Sequence, residues 1–231
     1  GNWWAARNDR GGKDTRWTYI DPYADMSDFC CDQYVAYDEG RDMFIWYRQG
    51  TGNPNRIRIG ASLDNGVTWC FYNITSNTFG LGDRFLDYPH IGLTNDHVYF
   101  TTNVFGSSGF ERMLLHKWEL DDLAACRGAN ISFWSTTTGW SWTPCEEGCT
   151  EEMYLGDHED QDTFRIWAQN EGNSTLSLFT TNIAAWNFTN RGDANCPDPN
   201  GVDPCARMDQ RVTSGCVHSG DGENPSSGQQ S

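Results

Sequence analysis

The chain has 231 residues, with 14% aromatic residues, 24 Gly and a net charge of −16. A surface this acidic repels phosphate backbones, and nucleic acid is therefore not expected as a partner. No apolar run approaches the ~18 residues that a membrane-spanning helix needs, so no membrane span is predicted.

Short strands are the main predicted elements, and they recur in units of four. The first unit contains the candidate strands Asp32–Asp38, Met43–Arg48, Arg56–Gly60 and Trp69–Tyr72. Alternating apolar residues and flanking turn residues favour strands in these segments. The same order recurs in Asp87–Leu93, His97–Asn103, Arg112–Trp118 and Ile131–Trp134, and again in Glu151–Gly156, Thr163–Ala168, Thr175–Phe179 and Trp186–Phe188. Four antiparallel strands that recur every ~40–60 residues are typical of β-propeller blades.

The two ends of the chain carry partial units. Asn2–Arg7 and Trp17–Ile20 predict the third and fourth strands of one unit, and Asp209–Gly215 predicts a first strand. Residues 1–217 are thus predicted to form three complete and two partial blades, before a polar, disordered tail over residues 218–231. Either the ends meet to close a small ring or the chain is a fragment, and the missing second strand favours a fragment.

One turn of the first unit carries a complete S-x-D-x-G-x-T-W motif. Its residues are Ser62, Asp64, Gly66, Thr68 and Trp69. Short polar side chains satisfy backbone donors in turns, and Gly supplies the positive φ that such turns need. The Trp ring is expected to pack on the unit where its last strand begins. The motif therefore predicts a structural turn between the third and fourth strands, not an active site.

This motif is identified as the Asp box, or BNR repeat, of sialidase-like β-propellers. The resemblance implies an all-β fold: a β-propeller, as a partial or small ring, of four-stranded antiparallel blades. Gly1–Arg7, Phe29–Gln33 and Asp87–Phe105 also resemble recurring segments of secreted, bacterial-type propeller proteins without an assigned activity. Members of that family continue for further blades, which again favours a fragment.

The resemblance also raises an enzymatic alternative. Sialidase-like enzymes need an Arg triad for the substrate carboxylate, a Tyr/Glu nucleophile pair and an Asp acid. Their Arg-Ile-Pro motif does not occur in this chain. Arg7, Arg48 and Arg165 are the best triad candidates by strand placement, whereas Arg56 and Arg58 alternate along one strand and predict a solvated or carboxylate-paired face.

The favoured function is an extracellular, non-catalytic propeller module that binds a glycan or a protein, or that serves as a structural unit of a surface or extracellular assembly. The alternative is a sialidase-like glycoside hydrolase. The expected partner is a glycan or a protein, including another copy or a chain that completes the propeller, because open sheet edges invite pairing.

Cysteines and glycosylation sequons indicate a secreted, extracellular protein. Nine Cys are present, and the four sequon acceptors are Asn73, Asn130, Asn173 and Asn187. Cys145 and Cys149 predict a small disulfide loop. Cys30 and Cys31 are adjacent, so they should point to opposite strand faces and bridge to two different partners. The odd number implies a free thiol, an intermolecular bridge or a partner lost by truncation.

The acidic residues suggest one metal-binding loop and two solvent-exposed loops without a specific function. Oxygen-bearing side chains surround Gly201, at Asp193, Asn195, Asp198, Asn200 and Asp203. Such ligands suit Ca²⁺, the one cofactor that the sequence suggests, and the alternative is a surface loop tied by a disulfide. The carboxylates of residues 157–162 and 146–152 are expected in solvated loops, with a glycosidase pair as the alternative.

Overall fold

The computed structural model describes residues 5–8, 16–146, 149–160 and 162–183, and these residues form a mostly β fold. The strands are β1 (Ala5–Arg7), β2 (Thr18–Ile20), β3 (Phe29–Asp38), β4 (Met43–Gly52), β5 (Asn55–Ser62), β6 (Cys70–Ile74), β7 (Phe85–Leu93), β8 (His97–Gly106), β9 (Gly109–Glu119), β10 (Ile131–Thr136), β11 (Thr143–Pro144), β12 (Glu152–His158), β13 (Thr163–Asn170) and β14 (Leu176–Asn182). A helix α1 (Leu120–Ala124) precedes β10, and a short 3-10 helix (Ser76–Phe79) precedes β7. The predicted all-β class is confirmed at this level.

The strands form four antiparallel sheets, named I to IV in chain order. Sheet I contains β1 and β2; sheets II, III and IV have the orders β3-β4-β5-β6, β10-β9-β8-β7 and β11-β12-β13-β14. Sheets II and III match the predicted units strand for strand. In sheet IV the short β11 pairs with the edge of β12, which the sequence did not predict, and the expected strand Trp186–Phe188 lies outside the described residues. Asp209–Gly215 and the tail also lie outside them, and the described sheets do not close a ring.

Sheets II and III pack face to face through the main core. In β4, Ile45 and Tyr47 are fully buried on the face toward sheet III, where Phe100 and Leu114 are also buried. The rings of Tyr47 and Phe100 are 6.0 Å apart between centroids. Alternation along the strand sends the neighbouring residues of β4 to the other face of sheet II. The packed face is therefore built from every second residue.

A smaller core joins sheets III and IV. Tyr99 and Leu115 from sheet III pack there with Trp142, Met153 and other residues of sheet IV. The Tyr99 hydroxyl donates a hydrogen bond to Gln169 Oε1 at 2.7 Å, and the Trp142 and Trp167 rings meet edge to face at 5.2 Å. Each central sheet thus packs on the next sheet in the chain.

Polar and covalent links reinforce the junction of sheets II and III. The buried Asn55 side chain donates to the Leu86 carbonyl and accepts from the Leu86 amide, each at 2.8 Å. A disulfide joins Cys70 at the start of β6 to Cys126 after α1. These links fix the position of one sheet relative to the other more specifically than apolar contact alone.

Two further cysteine pairs lie at disulfide distance. Cys145 pairs with Cys149, as predicted. Cys30 pairs with its neighbour Cys31, so the prediction of two separate partners was wrong. The pairing of β3 with β4 is irregular between Phe29 and Gln33, and such a bulge removes the strict alternation on which that prediction relied. The other three cysteines lie outside the described residues.

Candidate functional site

The residues of the S-x-D-x-G-x-T-W motif, whose turn is called the Asp-box turn after the motif it resembles, occupy the connection between β5 and β6, the third and fourth strands of sheet II. The Ser62 hydroxyl donates to Asp64 Oδ1 at 2.9 Å and accepts from the Gly66 amide at 2.9 Å. Asp64 in turn accepts from the Thr68 amide at 2.8 Å and from the Thr68 hydroxyl at 2.7 Å. The two side chains thereby hold the backbone of the whole turn.

Two further features fix the shape of this turn. Gly66 has a φ of 75°, as predicted, and the preceding Asn65 has a φ of 57°. A Cβ on Gly66 would lie 3.2 Å from the Trp69 ring, and Trp69 Nε1 donates to the Gly66 carbonyl at 3.1 Å. Hydrogen bonds from Thr68 lower the pKa of Asp64 to about 2. The carboxylate is thus held in its charged form by the turn itself.

An aromatic surface covers the face of sheet II that points away from sheet III. Trp69 lies 5.3 Å from Trp46 and 6.3 Å from Phe71 between ring centroids. A Cβ on Gly60 would lie within 3 Å of both the Trp69 and the Phe71 rings, so the rings rest on the bare backbone of β5. The Arg48 guanidinium lies 4.0 Å from the centroid of Trp46, in cation–π geometry.

A pocket of about 300 Å³ lies between this aromatic surface and sheet I. Its lining is mostly apolar and comprises Ala5, Ala6, Ile20, Trp17, Val35, Phe44, Trp46 and Trp69, with Arg7, Asn8, Asn65 and Gly66. Trp17 is 61% exposed and Val35 is 52% exposed. The Asp-box turn therefore forms part of the rim of an open, aromatic pocket, which the motif alone did not predict.

The arginines that the sequence nominated for carboxylate binding lie on three different sheets. Arg7 lines the pocket from sheet I, and Arg165 belongs to sheet IV. Arg48 is fully buried on sheet II and forms a bidentate pair with Asp25, with contacts of 2.7 and 2.9 Å. Burial raises the pKa of Asp25, but the hydrogen bonds and charges of Arg48 and Arg58 outweigh it and lower that pKa.

Arg56 and Arg58 have the carboxylate-paired face that their alternation predicts. Arg58 contacts Asp25 at 2.9 Å, and Arg56 contacts Asp28. Both acids lie in the segment before β3. This segment therefore neutralises the positive charge on one face of sheet II.

Asp157 corrects the expectation of a solvated acidic loop. It belongs to β12, is only 4% exposed, and accepts hydrogen bonds from Arg165 Nε at 2.9 Å and Trp167 Nε1 at 2.7 Å. Burial raises its pKa despite these partners. The triad candidate Arg165 is thus the partner of a buried carboxylate in sheet IV.

A second polar group lies where the first strands of sheets II and III begin. The β7–β8 pairing is irregular between Asp87 and His90, like the pairing near the start of β3. Between them Tyr88 has a φ of 54°. Bulges and such backbone strain concentrate beside functional sites. Asp87 accepts hydrogen bonds from Gln49 Nε2 at 3.0 Å and from the Tyr88 amide at 2.9 Å.

Tyr47 adds a buried hydroxyl to this group. It lies on the same face of β4 as Gln49, is fully buried, and has no hydrogen-bond partner for its hydroxyl among the described residues. Burial raises the pKa of Tyr47 well above its ordinary value, and the charges of Asp87 and Asp32 raise it further. Sequence reasoning missed this group, although both Asp residues begin a predicted unit.

The remaining predicted sites divide by location. Asn73, Asn130 and Asn173 are exposed, whereas Asn187 and the Ca²⁺ loop at Asp193, Asn195, Asp198, Asn200 and Asp203 lie outside the described residues. In the part of the chain that the structure describes, no group of three or more His, Cys, Asp or Glu side chains is placed to hold a metal ion.

Comparison of the chain with protein-family models, with curated proteins and with solved structures gives no match. Across the described ranges, no helix is both long and apolar enough to cross a lipid bilayer. Function must therefore be inferred from the geometry of the chain itself.

Proposed function

We propose that the chain is part of an extracellular Asp-box β-propeller and acts as a non-catalytic module that binds a glycan in the pocket between sheets I and II. The propeller assignment is supported by consecutive four-stranded antiparallel sheets that pack face to face. It is also supported by the complete motif between the third and fourth strands of sheet II. A secreted location fits three cysteine pairs at disulfide distance.

The aromatic pocket is the observation that carries the binding proposal. Ligand sites are concave and mostly apolar, with a few polar groups that orient the ligand. A pyranose ring has an apolar face that stacks on indole rings and hydroxyl groups that suit an amide- and guanidinium-bearing rim. Trp17 supplies an open indole face, and Asn8 and Asn65 line the same pocket.

The arginine triad with which a sialidase binds the substrate carboxylate is less well supported than glycan binding in the pocket. Arg48 is already bound in bidentate geometry by Asp25, and Arg165 is bound by Asp157. A substrate carboxylate would have to displace Asp25 from its bidentate pair with Arg48, or the buried Asp157 from Arg165. The hydrolase therefore remains an alternative that an activity assay distinguishes from binding.

Titration of the full chain with neutral, acidic and amino oligosaccharides, followed by tryptophan fluorescence, tests the proposal. We expect saturable binding that Trp17→Ala weakens by more than about tenfold, because a central indole carries much of such a contact. Tyr19→Ala is the matched control, since Tyr19 lies two residues beyond Trp17 in β2, is 60% exposed and does not line the pocket.

Two results would contradict this function. Equal oligosaccharide affinity of the Trp17→Ala variant and the unmodified chain would show that the ligand binds outside the pocket. Release of free sugar from any oligosaccharide during the titration would favour the hydrolase instead.

A further inference from the structure

Four oxygen-bearing side chains gather at the irregular starts of β3 and β7, and we name them the bulge cluster: Asp32, Tyr47, Gln49 and Asp87. Gln49 links the two sheets, because its Nε2 donates to Asp87 at 3.0 Å. Asp32 directly precedes Gln33, in the irregular part of the β3–β4 pairing, and its charge acts on the Tyr47 hydroxyl together with that of Asp87. The two carboxylates therefore lie near the same buried hydroxyl, and Asp87 also contacts the buried Gln49 amide.

Two buried oxygen atoms of the bulge cluster lack partners among the described residues. They are the Tyr47 hydroxyl and Gln49 Oε1, and both residues are fully buried. A buried polar atom without a partner costs free energy, so each such atom in a native protein requires an explanation.

The chemistry of the cluster selects its ligand. The two carboxylates and the amide oxygen of Gln49 are acceptors, and Gln49 Nε2 already donates to Asp87, whereas the Tyr47 hydroxyl donates to no described residue. A ligand that satisfies them must be a cation or must be rich in donors. Hard oxygen ligands favour Ca²⁺ over transition metals, which prefer imidazole or thiolate.

We propose that the bulge cluster is a Ca²⁺ site, in which Asp32, Asp87 and Gln49 Oε1 are ligands and the Tyr47 hydroxyl donates to a ligand carboxylate or to a metal-bound water. With only two carboxylates the affinity is expected to be low, with a Kd of about 10⁻⁴–10⁻³ M, as in extracellular modules. Both carboxylates are partly exposed, which leaves a route for the ion from solvent. The site is separate from the loop at residues 193–203, and it does not depend on glycan binding.

Calcium titration of the full chain, after removal of divalent ions with EDTA, tests this site. Thermal unfolding is followed in CaCl₂ and in MgCl₂ or choline chloride at matched ionic strength. We expect Ca²⁺ to raise Tm by several degrees at a concentration well above its Kd, because it binds only the folded chain. Calorimetry should count one ion at this site.

The variants are judged by the Ca²⁺-induced shift in Tm, so that a change in basal stability does not obscure the result. Asp87→Asn should abolish the shift, and Tyr47→Phe should reduce it. Glu119→Gln, which removes the same charge at the exposed end of β9, should leave the shift intact. A combined Asp193→Asn, Asp198→Asn and Asp203→Asn variant should also leave it intact.

Three outcomes would overturn the proposal. The first is the absence of a Ca²⁺-specific shift in Tm, which would mean that water, not Ca²⁺, satisfies the Tyr47 hydroxyl and Gln49 Oε1. The second is an unchanged shift in Asp87→Asn. The third is loss of the shift in the combined variant alone, which would place the ion in the loop at residues 193–203.

Discussion

Both faces of sheet II carry aromatic or aliphatic residues, but only one of them is fully covered. Toward sheet III, Ile45 and Ile57 are completely buried. On the opposite face Val35 and Tyr37 are 52% and 45% exposed, although they lie on the same strand β3 as residues that pack into the core. Exposed apolar groups that gather on one surface mark contact sites in folded proteins.

The difference indicates that sheet II is built to be covered on both sides. An antiparallel sheet with one wet face alternates apolar and polar residues, whereas β3 and β4 carry aromatic or aliphatic residues on both faces. Among the described residues, sheet I supplies two strands to cover the second face. The packed face therefore maintains the fold, and the open face is the one available for binding.

Truncation of a central core ring is the strongest test of this contrast. Trp118 is 2% exposed, meets Tyr72 edge to face at 5.5 Å, and donates to His116 Nδ1 at 2.8 Å. We expect Trp118→Ala to lower the free energy of unfolding by about 3–5 kcal/mol through lost burial and a cavity. Equilibrium denaturation with urea measures it.

Trp17→Ala is the matched control for that substitution, because it removes the same side chain from the exposed lining of the pocket beside the open face. Its effect on the free energy of unfolding should stay within about 0.5 kcal/mol, as for other surface positions. A loss as large as that of Trp118→Ala would mean that the open face is also part of the folding core.

The disulfides offer a second comparison, between a link across the packed faces and a local one. Cys70 and Cys126 are 56 residues apart in sequence, and Cys145 and Cys149 are 4 apart. Loop-closure entropy predicts that replacing the first pair by Ala costs about 4 kcal/mol and replacing the second costs about 2 kcal/mol. Urea denaturation of the two double variants measures this. Equal losses would show that loop length does not determine the contribution of either bridge.

Local signals account for what the sequence predicted. The strands β4 and β8 begin at Met43 and His97, where the apolar alternation also begins. The positive φ of Gly66 followed from the turn motif, and the Cys145–Cys149 pair followed from its short spacing. Each of these features depends on residues only a few positions apart.

Tertiary contacts account for what the sequence missed. The two residues of β11 are too few to show a period, so only their pairing with β12 reveals a strand. Asp157 looked like one acid among many, and its burial depends on Arg165 and Trp167 across the sheet. The pocket and the bulge cluster arise where different sheets meet, and no pattern along one segment contains that information.

The smallest expected effect concerns the Asp-box turn at the rim of the open face. Its hydrogen bonds are local, so Asp64→Asn should lower Tm by only a few degrees at neutral pH and leave the packed core unchanged. Thr68 holds the pKa of Asp64 at about 2, below its ordinary value of 3.8. A lowered pKa in the folded state means that the carboxylate stabilises the fold above about pH 4, and that this contribution is lost as the pH falls through about 2.

The pH dependence separates charge from shape in this turn. Tm measured from pH 7 to pH 2 should differ between the unmodified chain and Asp64→Asn above pH 4 and converge near pH 2. Thr68→Val removes the hydroxyl that donates to Asp64 at 2.7 Å, so the folded-state pKa of Asp64 should rise and its contribution should be fully lost at a higher pH. A constant difference down to pH 2 would mean that the Asp64 side chain acts by its shape alone. Packing would then stabilise the turn beside the open face, as it stabilises the covered face. The two faces of sheet II would differ only in their exposure to solvent.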